Sequence, residues 1–78
     1  MNRTHWNQEK AQQRARGAYR FVARVLPPGA NLEPIGWADR RALEAEAAHD
    51  WPAHEEALRD MMREARRQAV RRRGKGAA

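Results

Sequence analysis

Two prolines and a glycine in a row, Pro27-Pro28-Gly29, interrupt the chain early. Neither proline supplies the amide N–H that would continue a helix, and Pro27 pushes Leu26 out of helical geometry. Whatever forms before this point must therefore be a separate element from whatever follows. Upstream, Ala11, Ala18, Phe21, Val22, Val25 and Leu26 keep the i, i+3, i+4, i+7 spacing of one helical face, which predicts a helix over about residues 5–26. Gly17 inside it either costs about 1 kcal/mol against alanine or marks the close approach of another helix.

A second boundary stands at Asp50-Trp51-Pro52. Aspartate is a good N-cap, proline is tolerated in a first turn, and Glu55 and Glu56 suit the positive end of a helix dipole. This predicts a helix over about 51–72, with Trp51, Leu58, Met61, Met62, Ala65 and Ala69 on one face. Residues 27–36 read as a loop anchored by Leu32 and Ile35. A second helix then covers about 37–49, with Ala38, Ala42 and Ala45 as a thin apolar arc and Arg40 paired with Glu44. The expectation is an all-α, small three-helix domain over 1–73 with a flexible basic C-terminal tail at 74–78. Phe21, Val22, Val25, Leu26, Leu58, Met61 and Met62 should form its core, closed at the ends by Trp37 and Trp51.

Such a core is sparse. The apolar fraction is 41%, but half of it is alanine, and Leu, Ile, Val and Phe together number only 9 of 78 residues. That is below the roughly 20% typical of globular chains with high charge. Chains this short seldom draw more than a few kcal/mol from one core, and no cysteine is present to staple it. Idealised helix packing, a homodimer or a partner must supply the rest. No apolar run approaches the roughly 18 residues of a membrane span and no secretory leader is legible. A cytoplasmic protein with no membrane association is expected.

The residues also limit the chemistry. There is no Cys or Ser nucleophile, and Thr4 and Tyr19 have no base beside them in the sequence. The carboxylates at 44–60 lack the pocket needed to set their pKa values apart. His49 and His54 are five residues apart with Pro52 between them, which does not put both rings on one face for a metal. Gly29 and Gly36 match no phosphate-loop spacing. The expectation is a non-enzymatic protein with no cofactor, no metal and no small-molecule substrate.

Charge carries more information. The formal net charge is +6, with 14 arginines to 2 lysines. Along the chain it runs +5 over residues 1–30, −5 over 31–62 and +6 over 63–78. Arg16, Arg20 and Arg24 recur every four residues, opposite the apolar face of the first helix. Arg59, Arg63, Arg66 and Arg67 form a second stripe, which Arg71, Arg72, Arg73 and Lys75 extend into the tail. Arginine forks bind phosphate in a bidentate way, so these residues predict contact with DNA or RNA, by a regulatory protein acting as a homodimer. A helix–turn–helix is disfavoured, because the would-be recognition helix leads with acids. The alternative is a protein-binding module or inhibitor, of the kind mobile elements encode, that docks on a host protein or ribonucleoprotein complex. Trp6 and Arg59 are its candidate contacts, since Trp and Arg are enriched in binding hot spots.

Overall fold

The computed structural model describes the backbone of residues 3–77 and the side chains of residues 8–71. It holds three helices: α1 (Arg3–Val25), α2 (Glu33–Ala47) and α3 (Trp51–Ala77). Leu26 still donates its N–H to the Val22 carbonyl at 3.0 Å, and there α1 ends, where the prolines require it. Ala30 then bonds back to the Pro27 carbonyl at 3.2 Å, with Gly29 at φ 76°. This is a type II turn, with proline at its second position and glycine at the third, where a positive φ is needed.

α2 begins earlier than the sequence predicts, at Glu33 rather than Trp37. Pro34 does not belong to the loop. It occupies the first turn of the helix, where a missing N–H is harmless. The N-cap position, Leu32, makes no side-chain cap bond, but the Asn31 side chain just before it accepts the Glu33 N–H at 3.1 Å in an Asx turn that leads into the helix. α2 closes in a Schellman motif. His49 donates to the Glu46 carbonyl at 3.0 Å and Asp50 to that of Ala45 at 2.8 Å. His49 takes the left-handed position at φ 57°, where glycine is the usual occupant. Asp50 then caps α3 through the Ala53 N–H at 3.3 Å. α3 does not stop near residue 72 as expected: its helical backbone runs on to Ala77 through the stretch read as a tail, and Ala78 lies outside the described residues.

α3 is the spine. α1 and α2 each pack along it and touch one another little. Arg14 pairs with Glu55 near the start of α3, and Asn31 meets Gln68 far along it, so α1 and α3 run parallel. α2 runs antiparallel, with Ala45 beside Ala57 at one end and Pro34 beside Arg67 at the other. The two helices stay side by side over the length of α2, an αα-hairpin and not the steep crossing of a helix–turn–helix.

The core joins Ala18 and Val22 of α1, Ile35, Ala38 and Ala42 of α2, and Ala57, Leu58, Met61 and Ala65 of α3. Five of these nine are alanine, so the helices meet through small side chains that permit close approach. Phe21, Val25, Leu26 and Met62 pack against this seam only partly buried. The expected loop anchor Leu32 and the expected end closure Trp37 are both displaced outward. Trp37 is 58% exposed and Leu32 is 63% exposed. The inward face of α2 is set by Ile35, Ala38, Ala42 and Ala45, and a residue one step from Ala38 is turned away by about 100°. Trp51 does come to the core edge, stacked on His49 at 5.5 Å and edge-on to the buried His54 at 6.0 Å. A Cβ added at Gly17 would meet nothing within 4 Å, so no helix approaches there.

Candidate nucleic-acid interface

The fold redistributes the linear charge pattern. α1 carries six basic residues against Glu9, and α3 carries eight against four acids. α2 holds four acids and two arginines. Because α1 and α3 pack in parallel, the start of α1 meets the acidic start of α3 through Arg14 and Glu55, and the end of α1 leads to the basic second half of α3.

Three of the four acids of α3 are engaged, Glu55 and Asp60 across to neighbouring helices and Glu64 within α3 itself. Asp60 takes Arg41 of α2 at 3.2 Å and Arg63 at 3.4 Å. Glu55 takes Arg14, and Glu64 takes Arg67. Burial raises the Glu64 pKa, but hydrogen bonds from Arg67 and Gln68 and the charges of Arg67 and Arg71 outweigh it, and the net shift is downward. It is the anionic carboxylate, therefore, that the arginines meet.

This leaves a distinct set outside. Among the described residues, Arg16, Arg20, Arg24, Arg59 and Arg66 are exposed and have no ion pair. Arg16, Arg20 and Arg24 line the solvent face of α1, as their spacing predicts. Arg59 and Arg66 lie one turn before and one turn after the half-buried Met62, and Arg24 lies one turn beyond the half-buried Phe21. They thus border the side where α1 meets α3. Farther along, Arg63, Arg66, Arg67 and Arg71 surround Val70, which is 59% exposed.

Of the sequence-predicted contacts, Arg16, Arg20 and Arg24 share one face and Arg63, Arg66, Arg67 and Arg71 another, on adjoining helices. Arg63 and Arg67 are drawn into exposed ion pairs, which bind weakly enough to exchange. The side chains of Arg72, Arg73 and Lys75 lie outside the described residues, as does that of Trp6. Arg59, assigned above to a protein partner, stands on the basic face. Arg40 does not pair with Glu44. It lies over the Trp37 ring, 5.9 Å from its centre. The sequence reading missed the outward position of Trp37, although the alanine arc of α2 already placed it off the buried face.

Among the described residues no group of three His, Cys, Asp or Glu side chains is placed to hold a metal, and no helix is long and apolar enough to cross a membrane. The geometry defines an all-α three-helix unit with net basic α1 and α3 and net acidic α2. Compared with family models, curated proteins and solved structures, the chain has no significant match.

Proposed function

We propose that this is a non-enzymatic regulatory protein that binds nucleic acid through the α1–α3 face. The observation that carries the reading is the set of five exposed arginines, Arg16, Arg20, Arg24, Arg59 and Arg66, left without acidic partners among the described residues on two adjoining basic helices. A guanidinium there can take a phosphate without first breaking a bond to carboxylate. Arg63, Arg67 and Arg71 stand beside them, and Arg72, Arg73 and Lys75 add charge in sequence just beyond. Recognition is of the backbone, tolerant of sequence, because no helix is presented N-terminus first to a groove and the first turns of α3 carry Glu55 and Glu56.

Mobility shift of duplex DNA and RNA at low salt tests this. The full chain should retard both, and deletion of residues 71–78 should weaken the shift. A purified chain that retards neither at low salt would contradict the proposal.

A further inference from the structure

The solvent side of α2 is unlike the rest of the surface. Trp37 is 58% exposed and Leu43 53%, and between them on the helix lies Arg40. Gly36 shares this face with Arg40, four residues on, and with Ala47, eleven on. A Cβ built on Gly36 would meet nothing within 4 Å. Its φ is not positive, since among the described glycines only Gly29 is. Glycine within a helix is destabilising by about 0.5–1 kcal/mol relative to alanine, and nothing inside this fold requires it.

The requirement is met from outside. We propose that α2 is a homodimer interface, in which a second copy of this chain packs its own α2 antiparallel across a two-fold axis near Arg40. In that register, residues about equally far before and after Arg40, to within one residue's rise of about 1.5 Å, come opposite one another. Leu43 of each copy, three residues after, then seats over Gly36 of the other, four before, where a side chain would block it. Trp37 lies beside Glu44 of the other copy, and Arg40 reaches the same carboxylate. The face is therefore complementary to itself in both shape and charge.

Electrostatics favours a second copy at this face over any other face. Two chains of net charge +6 repel, and α2, with four acids to two arginines, is where they approach with least repulsion. α2 has 15 residues, about 22 Å of helix. That length suits an interface near the lower bound of about 1,000 Å² for specific association, and so a reversible dimer. Each copy keeps its α1–α3 face directed away from the contact. The inference does not depend on nucleic-acid binding.

Sedimentation equilibrium of the nuclease-treated full chain over a range of concentrations is the test. The mass should rise reversibly from 9.0 kDa toward twice that value. Trp37→Ala and Gly36→Gln should each weaken the dimer by about tenfold or more, as expected for the centre of an interface. Both positions are exposed, and the dilute, monomeric Gly36→Gln chain should melt no lower than the parent. Replacing Arg16, Arg20 and Arg24 with Gln should leave the dimer intact. A chain that stays monomeric at every concentration would overturn the proposal, as would a dimer indifferent to both α2 substitutions.

Discussion

Gln68 on α3 grips the backbone of Asn31 at both of its polar groups. Its Oε1 accepts the Asn31 N–H at 2.9 Å and its Nε2 donates to the Asn31 carbonyl at 2.9 Å, with a further bond to Glu64 at 3.0 Å. A side-chain amide here does what a neighbouring backbone would do in a ladder. It ties the Pro27–Asn31 turn to the spine and fixes where α2 can begin. Gln68→Ala removes both bonds, each with a net value of about 0.5–1.5 kcal/mol. Urea unfolding should show a loss of about 1–2 kcal/mol, while an unchanged midpoint would mean the grip is incidental.

Tyr19 on α1 donates its hydroxyl to the Asp39 carboxylate of α2. Partial burial, then the Asp39 hydrogen bond and the charges of Asp39 and Glu46, push the phenol up to about 12 from 10.0. The folded state thus holds the proton more tightly than the unfolded one. Its contribution should be fully present below pH 10 and be lost as pH rises toward 12. Tyr19 is the only tyrosine, so a spectrophotometric phenolate titration reads it directly. Midpoints near 12 for the folded chain and near 10 in denaturant are expected. Equal midpoints would remove the bond from the account.

The alanine seam leaves no room for larger residues. Ala65 is 0% and Ala42 1% exposed, on facing sides of the core. In most cores a larger apolar residue adds buried area, but here it separates helices. Ala65→Leu should destabilise by about 1–3 kcal/mol in thermal unfolding. A gain in stability would show that the seam is loosely packed.

His49 ends α2 with a positive φ, at a strain of about 1–2 kcal/mol for an L-residue, and stacks on Trp51. Two substitutions separate these effects. His49→Ala keeps the strain and loses the ring, so it should destabilise. His49→Gly also loses the ring but relieves the strain, so it should be about 1 kcal/mol more stable than the alanine variant. Equal stabilities would mean the left-handed position carries no strain.

Much of this architecture is legible in the residues. The prolines at 27 and 28 place the end of α1, Asp50 places the start of α3, and the arcs containing Val22, Leu58 and Met61 name core residues. The start of α2 is harder to read, because Pro34 serves equally in a loop or a first turn, and the Asx turn at Asn31 is not marked by any spacing in the sequence. Trp37 misleads because an indole is expected inside, yet helical rotation from Ala38 outweighs its hydrophobicity. The arginine stripes follow from spacing alone. Which arginines remain unpaired does not, since that depends on Arg14 meeting Glu55 and Arg41 meeting Asp60 across helices.

The basic α1–α3 face is most directly tested by the salt dependence of binding to a labelled duplex, followed by fluorescence anisotropy. Five phosphate contacts correspond to a slope of log affinity against log salt of about −4 to −5. The Arg16, Arg20 and Arg24 to Gln variant should make that slope shallower by about 2 to 3 without changing the fold. A slope near zero, or one the triple variant leaves unchanged, would contradict the proposed interface.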